Sequence, residues 1–210
     1  MTRVVTVVDY GVGNLFSIAR SIEKAGGEAR LSADPGEVAR AERLLLPGVG
    51  AFGACAAQLA SAGMAEPVKA FAATGRPFLG ICVGMQLLFD FSLEFGRHAG
   101  LGLIPGSVEE IPSDGRKVPH IGWNALLPGP ARTGWGGTIF ETLRPGEASA
   151  YFVHSFAGHA AEPADVLSVV EYQGVQVCAA VQRDNITGVQ FHPEKSGPVG
   201  LSLLDAYLRQ

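Results

Sequence analysis

The segment that decides the fold is residues 77–86, which read Pro-Phe-Leu-Gly-Ile-Cys-Val-Gly-Met-Gln. An apolar run leads into a helical pattern, with Cys82 at the corner and a glycine two positions before it and two positions after it. This spacing is typical of a nucleophile elbow, a sharp strand-to-helix turn that crowds its neighbours so that only glycine leaves room on either side. The segment therefore predicts that Cys82 is presented at the carboxyl edge of a sheet.

The position of Cys82 also predicts its chemistry. Backbone N–H groups at the start of a helix favour the thiolate, which is the nucleophilic form of cysteine. Cys55 lies in an Ala-rich helical pattern and Cys178 in the middle of a strand pattern, so both are interpreted as small buried side chains. The three cysteines are far apart and have no His partners at zinc-finger spacing, which argues against disulfides and structural zinc. No metal is expected.

Residues 188–195, which read Gly-Val-Gln-Phe-His-Pro-Glu-Lys, supply a candidate base. A cysteine nucleophile needs a base that returns a proton to the leaving group, and that base needs an acceptor to orient it. Residues two apart in an extended segment face the same side, so His192 and Glu194 can lie side by side. His98 and His159 have no such acid and are interpreted as ordinary surface or core residues. The sequence therefore predicts Cys82, His192 and Glu194 as a catalytic triad.

The first half of the chain alternates apolar runs with helical patterns. The apolar runs are residues 4–8, 44–46 and 78–82, and the helical patterns are residues 15–25, 54–59 and 85–89. Continuous apolar runs suit strands that are covered on both faces, as in a parallel sheet with crossover helices. This half predicts an α/β fold with a doubly wound, mostly parallel central sheet and flanking helices.

The second half changes to β-rich segments punctuated by Pro and Gly. Strand patterns occupy residues 118–127, 150–156, 166–172, 175–182 and 186–191, and a last helical pattern covers residues 200–208. Hairpin turns are predicted at Gln173-Gly174 and at Asp184-Asn185. An antiparallel, β-rich second half follows. No linker long enough to divide the chain is present, so residues 1–210 are predicted to form one domain.

Composition excludes several classes of protein. The chain has 210 residues, of which 17% are charged and 47% hydrophobic, and its formal net charge is -4. These values exclude a disordered chain, and the absence of a basic run makes nucleic acid an unexpected partner. The longest uncharged stretch, residues 44–65, is interrupted by proline and glycine, so no membrane span is expected. The amino terminus lacks the pattern of a secretory signal, which predicts a cytoplasmic protein.

Several motifs, in this order, resemble a known family. They are Asp-Tyr-Gly-Val-Gly-Asn-Leu at 9–15, Leu-Pro-Gly-Val-Gly-Ala-Phe at 46–52, the elbow, Val-Pro-His-Ile-Gly-Trp-Asn at 118–124, Tyr-Phe-Val-His-Ser at 151–155 and residues 188–196. The elbow and the His-Pro-Glu sequence resemble the class I, triad-type glutamine amidotransferases, which have a flavodoxin-like fold. The first motif and the motif at 118–124 are similar to those of the glutaminase subunits of imidazole glycerol phosphate synthase, an enzyme of histidine biosynthesis.

The resemblance implies a reaction and a set of roles. Cys82 would attack the carboxamide of glutamine to form a thioester, and His192 would protonate the departing ammonia. The N–H groups of Val83 and Val49 would form the oxyanion hole, and glycine on both sides of Val49 would let its peptide rotate. Four further residues are implied to bind glutamine, namely Gly50, Gln86, His154 and Ser155. Phe156 stands where the family commonly has an aromatic hydroxyl.

The resemblance also implies a partner. The ammonia would pass to a cyclase subunit with a (β/α)₈ barrel, in a heterodimer that makes imidazole glycerol phosphate and aminoimidazole carboxamide ribonucleotide. Asn14 and Trp123 are the candidates for contact with that subunit, although packing in the core is an alternative for Trp123. No cofactor, nucleic acid or membrane is implied. Two alternative functions remain open at this point: the glutaminase subunit of another synthase, and a stand-alone cysteine hydrolase.

Overall fold

The computed structural model describes residues 3–112, 115 and 117–210. The first half of the chain contains β1 (Arg3–Val8), α1 (Leu15–Lys24), β2 (Gly27–Ser32), α2 (Pro35–Arg40), β3 (Leu44–Leu46), α3 (Phe52–Ser61), α4 (Ala65–Ala72), β4 (Phe78–Ile81), α5 (Val83–Gln86), β5 (Phe89–Ser92), β6 (His98–Ala99) and β7 (Ile104–Glu110). The second half contains β8 (His120–Ala125), β9 (Leu127–Pro128), β10 (Ser149–His154), β11 (Phe156–Ala160), β12 (Val166–Tyr172), β13 (Val175–Arg183), β14 (Ile186–Val189) and α6 (Gly197–Arg209).

Within the described residues, the main sheet has eight strands in the order β2-β1-β3-β4-β14-β13-β12-β9. The strands from β2 to β14 run parallel, and the order shows that the chain crosses over between them. Consecutive residues of a strand point to opposite faces of the sheet, and both Val7 and Val8 are fully buried, as are both Leu44 and Leu45. Such burial on both faces is what continuous apolar runs require. The predicted mostly parallel, doubly wound α/β core is confirmed.

The same sheet continues as an antiparallel meander through β14, β13, β12 and β9. Gln173 and Gly174, between β12 and β13, have φ values of 49° and 82°, and Asp184, between β13 and β14, has a φ of 51°. Positive φ at the turn residues matches the twist of tight hairpins. Both predicted hairpins are therefore confirmed.

Two smaller sheets lie beside the main one and account for several wrong predictions. One pairs β10 with β8, and the other has the order β11-β7-β5-β6. The predicted strand 118–127 is therefore two strands, β8 and β9, that belong to different sheets. The predicted strand 150–156 also divides, because Phe156 begins β11. The helix predicted at 85–89 is wrong: α5 ends at Gln86, and Phe89 is a fully buried residue of β5 opposite Ile104 of β7.

The remaining elements cover the main sheet. The helices α1, α3 and α6 confirm the helical patterns at 15–25, 54–59 and 200–208, with ends that differ by up to three residues.

The carboxyl ends of β3, β4 and β14 meet at one edge of the sheet, and the segments that follow them begin at Pro47, Cys82 and Gln190. In the part of the chain that the structure describes, no helix has the length and apolar character that crossing a bilayer requires.

Candidate active site

Cys82 occupies a strained turn between β4 and α5. Its φ and ψ are 55° and -116°, a conformation that side chains other than glycine rarely adopt. A Cβ on Gly80 would lie 2.8 Å from the carbonyl oxygen of Gly84, and a Cβ on Gly84 would lie 2.0 Å from that of Leu46. The two glycines are therefore needed for close packing on both sides of the turn. Such strain at one residue is typical of functional sites.

The helix that follows the elbow is short. α5 has four residues, so few peptide dipoles align behind the sulfur of Cys82. A thiolate at this position would therefore depend more on the surrounding side chains than the sequence indicates. Cys82 itself is buried, with 6% of its surface exposed.

His192 and Glu194 form a buried pair beside Cys82. His192 Nδ1 lies 2.8 Å from Glu194 Oε1, and these side chains are 5% and 2% exposed. Burial alone lowers the pKa of His192, but hydrogen bonds to the Cys82 sulfur and the Glu194 carboxylate outweigh it and raise that pKa to about 9. The imidazole is therefore protonated at neutral pH, and the arrangement supports an imidazolium beside the sulfur.

Backbone contacts hold His192 in place. The His192 N–H donates to the carbonyl oxygen of Tyr151 in β10 at 3.0 Å, and the Ser196 hydroxyl donates to the carbonyl oxygen of His192 at 2.7 Å. Ser196 Oγ also accepts from the Tyr151 N–H at 3.0 Å. The histidine is thus fixed to a different sheet from the one that carries Cys82.

A cavity of about 500 Å³ opens onto the sulfur of Cys82 and the ring of His192. Every residue that the sequence suggested for the oxyanion hole or for glutamine lines it, namely Val49, Gly50, Val83, Gln86, His154 and Ser155. Glu194 lies behind His192 instead. A wider hollow of about 690 Å³ shares Phe95, Ser155 and Phe156 with this cavity but contains no triad residue. The smaller cavity is therefore the candidate active site.

His154 lines the cavity, but both of its ring nitrogens are engaged within the protein. Nδ1 lies 2.9 Å from the carbonyl oxygen of Phe156, and Nε2 lies 2.9 Å from Nδ1 of His120. These bonds leave no ring nitrogen for a substrate. His154 therefore shapes the wall of the cavity, whereas the sequence suggested a direct polar contact.

Two buried side chains hold the segment of Val49. The Tyr10 hydroxyl donates to the carbonyl oxygen of Pro47 at 2.7 Å, and the Cys55 thiol donates to that of Val49 at 3.2 Å. Burial raises the pKa of the Cys55 thiol, which keeps its proton for this bond. A Cβ on Gly48 would lie 2.6 Å from the N of Gly84, so Gly48 is needed for packing against the elbow.

Two charged residues that line the cavity were missed by the sequence analysis. Glu94, in the loop after β5, accepts a hydrogen bond from the N–H of Phe52. Lys195 directly follows the Pro-Glu sequence, and its Nζ lies 5.8 Å from the centre of the Tyr151 ring. The sequence carried a signal only for Lys195, because it adjoins the triad. Glu94 belongs to the loop that follows β5, and the position of this loop at the cavity depends on the sheet formed by β11, β7, β5 and β6.

The two candidates for partner contact lie outside the cavity. Asn14 is the N-cap of α1, where its side chain accepts from the Ser17 N–H at 3.4 Å. Trp123 of β8 is 56% exposed, so the alternative that it packs in the core is wrong. Ile121 and Val153, paired across β8 and β10, are also exposed. These three residues form an exposed apolar surface, and Val153 connects it to the cavity.

Comparison with known proteins identifies the class. The family model of class-I glutamine amidotransferases matches residues 6–207, and the chain belongs to that family. The solved structure of PurLQS from Thermotoga maritima is similar in fold, with a TM-score of 0.75 and 21% identity over 100% of this chain and 99% of that one. A crystal structure of a glutamine amidotransferase has a TM-score of 0.71 and 17% identity over 96% and 98% of the two chains.

Curated relatives identify the particular family within that class. Imidazole glycerol phosphate synthase subunit HisH 1 of Legionella pneumophila (strain Lens) is 45% identical over 98% of each chain. The HisH subunits of Syntrophotalea carbinolica and Geobacter metallireducens are 48% and 47% identical, over 95% of this chain and 97% and 95% of theirs. Within the amidotransferases, the chain therefore belongs to the HisH family of glutaminase subunits of imidazole glycerol phosphate synthase.

Proposed function

We propose that the chain, acting as one glutaminase domain in the cytoplasm, hydrolyses glutamine at Cys82 and supplies the ammonia to a cyclase subunit in histidine biosynthesis. The observation that carries this proposal is the buried His192–Glu194 pair beside Cys82 at the end of a cavity. Its occurrence in a chain that belongs to the HisH family favours this partner over that of another synthase. It also favours a subunit over a stand-alone hydrolase.

The cavity offers complementary charges for the amino-acid end of glutamine. Glu94 suits the α-ammonium group and Lys195 suits the α-carboxylate, because both side chains line the cavity. Held at that end, the substrate extends its carboxamide toward Cys82. Such positioning converts the attack into an intramolecular step, which is a large part of the catalytic effect of enzymes.

The first half of the reaction forms a thioester. The thiolate of Cys82 attacks the carboxamide carbon, and the N–H groups of Val49 and Val83 stabilise the oxyanion. His192, as imidazolium, gives its proton to the nitrogen of the leaving group. The C–N bond breaks, ammonia departs, and the glutamyl group stays on the sulfur while the imidazole is neutral.

The second half restores the enzyme. Neutral His192 takes a proton from a water molecule as its oxygen attacks the thioester carbon. The tetrahedral intermediate collapses, the C–S bond breaks, and the thiolate leaves beside the imidazolium that has formed. The new carboxyl group ionises in solvent, so the net reaction is glutamine plus water to glutamate plus ammonia. Glu194 holds the tautomer of His192 throughout.

The partner is the cyclase subunit, with a (β/α)₈ barrel through which ammonia reaches its substrate. We place it on the exposed surface formed by Ile121, Trp123 and Val153, because that surface adjoins the cavity where ammonia forms. Ammonia that escaped into water would become ammonium, which is not nucleophilic. A docked partner keeps it away from solvent.

The test measures glutamate and ammonia release from glutamine, by the chain alone and with the cyclase subunit plus its ribonucleotide. We expect strong stimulation by the loaded cyclase, and loss of hydrolysis in Cys82→Ala. That variant should still bind the cyclase, whose turnover with added ammonium salts should persist. Hydrolysis by Cys82→Ala would show that another group is the nucleophile, and equal rates with and without the cyclase would exclude the proposed coupling.

A further inference from the structure

A continuous set of hydrogen bonds connects the surface at β8 with the sulfur of Cys82. Its central atom is the carbonyl oxygen of Phe156, which accepts from Gln86 Nε2 at 3.0 Å and from His154 Nδ1 at 2.9 Å. One arm of the set continues from Gln86 toward Cys82, and the other continues from His154 toward β8. A backbone carbonyl can only accept hydrogen bonds, so this oxygen determines the direction of every bond in both arms.

The arm toward Cys82 passes through two buried amides. Gln86 must present its NH₂ group to the Phe156 carbonyl, and the same nitrogen lies 3.0 Å from Gln190 Oε1. The oxygen of Gln190 is thus the acceptor in this pair, and its own NH₂ group must point the other way. There, Gln190 Nε2 lies 3.8 Å from Cys82 Sγ. The side chain of Gln190 is wholly buried, so water does not compete for this N–H.

The arm toward the surface is consistent with the same direction. His154 uses the proton on Nδ1, so its Nε2 accepts from His120 Nδ1 at 2.9 Å, and His120 Nε2 accepts from the amide of Asn124 at 3.1 Å. Burial lowers the pKa of both His120 and His154 to about 4, so each ring carries one proton at neutral pH. One proton on each ring is what this chain of bonds requires. The Phe156 oxygen is thereby held in place for Gln86.

We propose that Gln190 is a catalytic hydrogen-bond donor to the sulfur of Cys82, and that Gln86 positions it by fixing which end of its amide faces the sulfur. The inference rests on the proposed function, because it takes Cys82 as the nucleophile. A buried N–H favours the charged form of an acceptor that it contacts. The four-residue helix α5 stabilises the thiolate only in part. The N–H of Gln190 and the imidazolium of His192 therefore supply the rest of that stabilisation.

Two substitutions separate the donor from the packing of the side chain. Gln190→Met keeps the volume and removes the N–H. Gln190→Glu keeps the oxygen that accepts from Gln86 and replaces the N–H with an acceptor that repels a thiolate. Gln176→Met, at an exposed position of β13, is the matched control.

The experiment measures the rate at which iodoacetamide alkylates Cys82 at pH 7, by mass spectrometry of its peptide, together with kcat and KM for glutamine in the complex with the cyclase subunit. We expect alkylation and kcat to fall about five-fold in Gln190→Met, as for loss of one hydrogen bond of ordinary net strength. In Gln190→Glu both should fall further, while KM stays within about two-fold. Gln176→Met should match the unsubstituted chain.

Unchanged alkylation in both Gln190 variants would overturn the inference. If either variant does not fold, as judged by circular dichroism, the decisive measurement is made on the unsubstituted chain. There the side-chain NH₂ resonances of Gln190 should shift when Cys82 is alkylated, and no shift would also overturn it. Hydrolysis by Cys82→Ala would instead remove the proposed function, so the two failures are distinguishable.

Discussion

Nδ1 of His192 and Oε1 of Glu194 are 2.8 Å apart, and both side chains are almost completely shielded from water. Glu194 holds a proton on Nδ1 of His192, and the other ring nitrogen, Nε2, faces Cys82. The carboxylate therefore makes Nε2 the nitrogen that carries the mobile proton. The same contact helps to raise the pKa of His192 to about 9. One interaction thus controls both the orientation and the charge of the base that we propose.

Glu194→Gln should lower the glutaminase kcat by about 100-fold or more, because it removes the charge that orients and stabilises the imidazolium. It should also lower the pKa of His192 below about 9, which NMR of the ring protons during a pH titration measures. Glu147→Gln, at an exposed position on the protein surface, is the control. An unchanged His192 titration in Glu194→Gln would contradict this account.

Gly84→Ala should destabilise the fold, because its new methyl group would lie 2.0 Å from the Leu46 carbonyl oxygen, which belongs to the neighbouring strand. Overpacking of this kind costs about 1–3 kcal/mol and often more against a rigid backbone. Gly136→Ala, which meets no atom within 4 Å, should leave the urea midpoint almost unchanged. Equal midpoints for the two variants would show that the elbow can move aside.

The elbow and the central sheet could be predicted because their signals are local. The Gly-x-Cys-x-Gly spacing specifies a turn that the structure contains, and apolar runs such as residues 4–8 identify strands that are buried on both faces. The turn at Gln173-Gly174 could also be predicted, because Gly174 adopts positive φ at little steric cost between two strand patterns. In each case a few adjacent residues carry the whole constraint.

The sheet formed by β11, β7, β5 and β6 could not be predicted, nor could the hydrogen-bond network, because both depend on pairs of residues that are distant in the sequence. The residues around Phe89 indicate the end of a helix, but in the structure Phe89 is in a strand and pairs with Ile104 of β7. The contact of Gln190 with Cys82 joins residues 108 positions apart, and its direction depends on the carbonyl of Phe156. Nothing in the residue types alone indicates such a direction.

Val49→Pro should lower kcat by about 100-fold or more, because proline removes the N–H that we assign to the oxyanion hole. Val49 lines the cavity and is 41% exposed, so the side chain itself contributes little packing. Val49→Ala keeps the N–H and should retain most of the activity. Alkylation of Cys82 should be similar in both variants, which separates loss of the oxyanion donor from loss of the nucleophile. Equal kcat values for the two variants would assign the donor elsewhere.

Trp123→Ala should weaken binding of the cyclase subunit by at least about ten-fold, as truncation of an aromatic anchor at the centre of an interface commonly does. The side chain is 56% exposed, so its removal should leave the stability of the isolated chain almost unchanged. Leu31→Ala, on the edge strand β2, removes a comparably exposed apolar side chain and should not affect binding. Isothermal titration calorimetry of the unsubstituted chain and the two variants measures the affinity for the cyclase subunit. Equal affinities would show that the partner binds another surface.

Acid should destabilise the protein through His120 and His154. The pKa of each is lowered to about 4, chiefly by burial and, for His154, also by the nearby rings of His120 and His192, whereas an unfolded histidine has a pKa of about 6.5. Between about pH 6.5 and pH 4 the unfolded chain therefore binds protons that the folded chain does not. The free energy of unfolding should therefore fall as pH falls through this window, by up to about 1.4 kcal/mol per pH unit for each proton. At pH values above the window, these two histidines should have no effect on its pH dependence.

Urea unfolding at pH 7 and pH 5 tests this expectation in three chains. His154→Gln keeps a polar side chain beside the Phe156 carbonyl but cannot gain a proton, so its loss of stability between the two pH values should be smaller than that of the unsubstituted chain. His159→Gln, at an exposed position of β11, should lose as much as the unsubstituted chain. If His154→Gln lost as much as His159→Gln, the acid sensitivity would arise from carboxylates, and the buried histidine pair would not be its source.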